Sequence, residues 1–76
     1  NSINIDLSLS KEELVGIKIF NSLGQLVHQK EASYQWAGNN RIYLNLPSHI
    51  KQGVYILQVS IGDKSYLTER FVKKNR

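Results

Sequence analysis

Two histidines, His28 and His49, are the only imidazole bases in the chain, and no cysteine accompanies them. Nucleophilic catalysis needs an activated Ser or Cys, a base within reach and a third group that orients the base. His28 falls in a strand-like run and His49 in a loop, so each reads as a surface histidine. Glycoside hydrolysis needs two carboxylates facing each other across a cleft. Glu12 and Glu13 are instead neighbours in a charged turn, and Asp6, Glu31, Asp63 and Glu69 are scattered along the chain. Neither a zinc-ligand spacing nor a calcium loop is present, and the glycines stand singly at turns rather than in a phosphate cradle. The expectation is a protein that is not an enzyme and uses no cofactor and no metal.

Two groups of residues could carry binding. Tyr34, Trp36 and Tyr43, with Tyr66, fall outside the inward-facing sets, and a flat row of such rings could stack on sugars or on a protein. The plainer reading folds Trp36 over one end of the core. The second group is cationic. Residues 1–69 balance six basic side chains against six acidic ones, so the net charge of +4 comes from Arg70, Lys73, Lys74 and Arg76. A neutral body with a basic end is not the broad basic face of a nucleic-acid binder, so no nucleic acid is expected as a partner.

The elements that hold these residues are short and strand-like. Ile3, Ile5, Leu7 and Leu9 alternate with polar residues, and after Lys11 the alternation resumes at Val15, Ile17 and Ile19. Period two over such a span is the signature of a half-buried strand. Gly24 suits the left-handed position that closes the loop after Asn21. Gln25 to Lys30 reads as the return strand with Val27 inward. Ala32, Tyr34 and Trp36 read as a separate edge strand or crossover, and Ala37 to Asn40 as a loop. Ile42, Leu44 and Leu46 form the next inward face, and Pro47 ends that strand because it lacks the donor the ladder needs. Ile50, alone among polar neighbours, is expected to cap the core from one end.

The run from Gln52 to Val72 is the strongest signal. Gly62-Asp63 separates two strand-like runs, and Gly-X is a tight hairpin turn. Tyr55, Leu57, Val59 and Ile61 share one face, and the mixed opposite face places this strand in the middle of a sheet. Lys73 to Arg76 is expected to fray. The sum is an all-β, immunoglobulin-like antiparallel sandwich of about seven short strands. At 76 residues it is one domain that buries roughly 60% of its unfolded surface. With no methionine in the sequence, the chain reads as a processed or excised piece.

Ile17 through Val27 (Ile-Lys-Ile-Phe-Asn-Ser-Leu-Gly-Gln-Leu-Val) and Ile42 through Val59 carry a family resemblance. They resemble the C-terminal sorting domain of type IX secretion cargo from Bacteroidetes-type bacteria, in its type A form. The pattern's first signature corresponds to Phe20, Asn21, Gly24 and Val27. Its second corresponds to Leu44, Leu46, Ile50 and the triplet Gly53, Val54 and Tyr55, and its end to Arg70, Phe71, Val72, Lys73 and Lys74. The match runs from about Ile3 to Lys74. The family's opening Asn-Pro pair is missing from Asn1-Ser2-Ile3, so either the chain is cut just past that pair or the first edge is altered.

The resemblance implies a sorting domain over residues 1–74, truncated at its N-terminus, followed by the basic end 75–76. It implies a transport address rather than a catalyst. An N-terminal cargo domain would precede it, an outer-membrane translocon would read it in the periplasm, and a sortase-like peptidase would cut upstream of it. The cargo would then reach the cell surface or be secreted. Gly24, Val27, Gly53, Val54 and Tyr55 would preserve shape, while Arg70, Phe71, Val72, Lys73 and Lys74 would present the recognised surface. The alternatives are an accessory carbohydrate-binding or adhesive sandwich, which requires Tyr34, Trp36 and Tyr43 on one face, and a plain structural spacer. Strand exchange between copies is a further expectation, because a bare strand edge accepts another strand.

Overall fold

Alternation in the sequence becomes alternation across two sheets. The computed structural model describes residues 2–74, so the expected basic end at 75–76 lies outside the described residues. Six strands follow one another: β1 (Ser2–Leu9), β2 (Glu13–Asn21), β3 (Leu26–Gln35), β4 (Gly38–Asn45), β5 (Gly53–Ile61) and β6 (Lys64–Lys73). A larger sheet has the order β3-β2-β5-β6 and a smaller one is β1-β4, with every pairing antiparallel.

The inward phase of each strand supplies the core. Val15, Ile17 and Ile19 from β2 and Tyr55, Leu57 and Val59 from β5 face Ile5, Leu7 and Leu9 from β1 and Ile42 and Leu44 from β4. Ile19 and Val59, on the two central strands, are 0% exposed. Ile50 closes one end of this layer, as expected, and is itself buried. Burying one such aliphatic side chain contributes about 1.5–3 kcal/mol, which is how a chain this small overcomes its ordering entropy.

Three expectations are corrected. The strand expected after Lys30 is not separate, because β3 runs unbroken from Leu26 to Gln35 and the count is six. Glu31 and Ala32 together oppose Gly16, and Val27 is an extra residue between the Ile19–His28 and Phe20–Leu26 pairs. Two bulges thus absorb what the polar composition suggested was a break. Gly38, Asn39 and Asn40, expected in a loop, open β4 because they pair with Leu9, Ser8 and Leu7. Lys73, expected to fray, ends β6 opposite Gly53 and is buried.

The turns follow their residues. Gly62 has φ of +64° in a two-residue loop between the paired Ile61 and Lys64, and its N–H donates to the Leu14 carbonyl at 2.8 Å. At the other hairpin, the Asn21 side-chain oxygen accepts from the Leu23 and Gln25 N–H groups at 2.9 and 3.0 Å. Gly24 there has φ of +84°, which completes a turn that a side chain would strain.

The smaller sheet carries one ion pair on its outer face. Arg41 donates through Nε and Nη2 to the two oxygens of Asp6 at 2.7 and 3.1 Å, across a directly paired position. The Arg41 hydrogen bond holds the Asp6 carboxyl below its ordinary value of 3.8. A depressed folded-state value means that the pair's contribution is present above pH 3.8 and lost as pH falls through the lowered value. Both groups are solvated, so the effect on stability is small. In an NMR titration the Asp6 midpoint is expected below 3.8, and Arg41→Gln should raise it; an unmoved midpoint would contradict the pairing.

Candidate functional site

The end of the sandwich nearest the C-terminus gathers most of the residues singled out in the sequence. The connection from Leu46 to Gln52 turns back on itself through a hydrogen bond from the Ile50 N–H to the Pro47 carbonyl at 3.1 Å. Two side chains then hold its outgoing half. The Tyr55 hydroxyl donates to the Lys51 carbonyl at 2.5 Å, and the Lys73 ammonium donates to the Ile50 carbonyl. Tyr55 also stacks on Phe71, with ring centroids 5.9 Å apart and planes inclined by 29°. Strand β5 brings the Tyr55 ring and β6 brings the Lys73 ammonium to the same end, because Tyr55 pairs with Phe71 and Gly53 with Lys73.

Pairing therefore divides the five C-terminal residues by direction. Phe71 is half-buried and Lys73 buried, both in the inward phase of β6. Arg70 and Val72 take the outward phase, opposite Ile56 and Val54, and Lys74 follows them exposed. The surface they border is apolar. Leu26, Phe20, Ile56 and Arg70 form one cross-sheet row, and Val54 and Val72 lie beside it. Lys18 sits on the same face in the row with Gln58 and Thr68, and no carboxylate occupies these outward positions. The result is an apolar face edged by cations.

The remaining family positions support this end. Gly53 opens β5, Val27 is packed against the core, and Val54 lies half-buried on the outer face. Sequence reasoning missed the inward role of Lys73 and the organising role of Asn21. The Asn-Ser-Leu-Gly order could have shown the second, since Asn favours the first position of such a turn.

The aromatic residues do not converge. Tyr43 projects from the outer face of the smaller sheet, whereas Tyr34 pairs with Leu14 on the outer face of the larger one. Trp36 is 76% exposed between β3 and β4, so it does not fold over the core as the plainer reading had it. His28 is half-buried on β3 and His49 is exposed beside Ile50.

No curated protein and no solved structure matches the chain. A family model does, the secretion system C-terminal sorting domain, over residues 1–74. That family consists of type IX secretion signals, attached to cargo and exported to the cell surface or beyond it. The matched span includes Gly24, Tyr55 and the Arg70–Lys74 segment. On this match the chain belongs to the secretion system C-terminal sorting domain family.

Proposed function

We propose that this domain is the folded, non-catalytic address of a cargo joined upstream of Asn1. An outer-membrane translocon reads it in the periplasm, and a sortase-like peptidase cuts on its N-terminal side after transport. The recognised surface is the outward part of the C-terminal segment, Arg70, Val72 and Lys74, with the apolar face beside it. Phe71 and Lys73 hold that surface in place from the inside. The observation that carries this reading is the family match over the whole body together with the alternation of β6. That alternation sends two residues of the segment into the domain and leaves the other three free for contact. Desolvating an apolar patch supplies affinity, and the cations at its edge supply orientation and encounter rate.

A secreted reporter fused to the domain in a type IX-competent bacterium tests the reading. Removing Phe71 to Arg76 is expected to abolish export. Because that deletion also removes inward residues, a second variant separates recognition from folding. Arg70→Glu combined with Lys74→Glu should leave the far-UV circular dichroism unchanged and lower export by at least about tenfold, since like-charge juxtaposition at an interface costs several kcal/mol. Normal export of the folded double variant would defeat the surface assignment, and normal export of the deletion would defeat the address itself.

A further inference from the structure

We propose that the open side of the sandwich is a strand-addition site for a polypeptide segment from outside the domain. Its occupant is an extended segment that reads large apolar, any residue, Lys or Arg, any residue, large apolar. Among the described residues β6 pairs only with β5, and β1 only with β4, so each keeps a free backbone edge, and residues of both strands line one groove. Between them lies a groove of about 290 Å³, lined by Ile3 and Ile5 from β1, Leu57 from β5, and Leu67, Glu69 and Phe71 from β6. Ile3 and Phe71 border a second hollow toward Lys73 and Lys74, so the apolar floor runs on along β6.

The edge is suited to pairing. The β6 ladder is regular from Leu67 to Lys73, with its one irregularity before Leu67, whereas the opposite edge strand β3 is spoiled by two bulges. Bulges are a common device against edge pairing, and the strand that borders the groove lacks them where it matters. Strand addition to such an edge takes its affinity from main-chain hydrogen bonds and its specificity from alternate side chains.

Those side chains define the occupant. Leu67, Glu69 and Phe71 alternate into the groove at about 6.8 Å spacing, the repeat of any strand laid beside them. Leu67 and Phe71 are half-buried, with apolar surface still to cover. Glu69 lies between them in the inward phase, opposite Leu57, and is exposed. The other carboxylate at the groove, Asp6, is already held by Arg41. A cation directly across from Glu69 completes the match, since opposite charges are favoured at paired positions. None of the ten Lys and Arg residues of this chain has a large apolar residue two places before and two places after it, as the sequence shows. The occupant is therefore a segment from outside these 76 residues and not a second copy of them. This inference stands apart from the export reading.

The test uses the isotope-labelled 76-residue chain and a synthetic peptide, acetyl-Thr-Val-Thr-Lys-Thr-Val-Thr-amide, with a counterpart carrying Glu in place of Lys. The Lys peptide is expected to shift the amides of Leu67 to Lys73 and to slow their hydrogen exchange. The Glu peptide should bind about fivefold more weakly, the scale of one cross-strand charge pair. Glu69→Lys should reverse the preference, and Glu69→Gln, a milder change at an exposed position, should remove it. The proposal is overturned by the absence of any shift at millimolar peptide, by equal binding of the two peptides, or by shifts centred on β3.

Discussion

Tyr55→Ala is expected to lower the unfolding free energy by about 4 kcal/mol, the cost of removing a large buried ring and leaving its space unfilled. For a domain of this size, total stability is roughly 4–11 kcal/mol, so the variant should keep only about 0–7 kcal/mol and unfold at a much lower urea concentration than the parent. Three losses combine at this position. The ring leaves the core, Phe71 loses its stacking partner, and the Lys51 carbonyl loses its donor. Tyr55→Phe separates the last of these from the other two, because it keeps the ring and the stack. It should cost about 1 kcal/mol, the net worth of one hydrogen bond. Urea unfolding of the two variants measures both. Equal losses would mean that the hydroxyl, and not the ring, anchors this end; a loss under 1 kcal/mol for alanine would mean that neither does.

That ring also marks where the sequence was readable. The alternation of Val15, Ile17 and Ile19, and of Tyr55, Leu57 and Val59, is a local signal. A strand with one buried face must alternate, so the pattern and the burial agree. Gly24 and Gly62 were readable for the same reason, since the chain at each needs a φ that other residues resist. What escaped the sequence was set by partners distant along the chain. The step from Lys30 to Ala32 reads as the end of one strand and the start of another, yet β2 keeps it in one ladder by allowing Glu31 and Ala32 to share one position opposite Gly16. Gly38, Asn39 and Asn40 look like a loop until β1 lies beside them. Of the candidate site, the C-terminal segment was proposed from the family resemblance, and its division into inward and outward members depended on the register with β5.

Lys73 is the sharpest case, because composition placed it with the solvated tail and the fold buries it. Lys73→Met is expected to cost about 2 kcal/mol, since it keeps the aliphatic stem but removes a charge-assisted hydrogen bond to the Ile50 carbonyl. Lys73→Ala should cost more, because the stem that covers this end of the sandwich goes as well. Lys74→Met, one residue on and exposed, should change stability by less than about 0.5 kcal/mol. The pair of neighbours therefore provides opposite controls for export. If the tail is read by its charges alone, Lys73→Met and Lys74→Met lower export alike. If Lys73 acts by holding the loop at Ile50, Lys73→Met lowers urea stability and lowers export only in proportion to the unfolded fraction, while Lys74→Met lowers export without touching stability. The second pattern is expected, since an ammonium turned inward onto a backbone carbonyl is withdrawn from any partner approaching the outer face. A Lys73→Met domain as stable as the parent would remove the ammonium from this account.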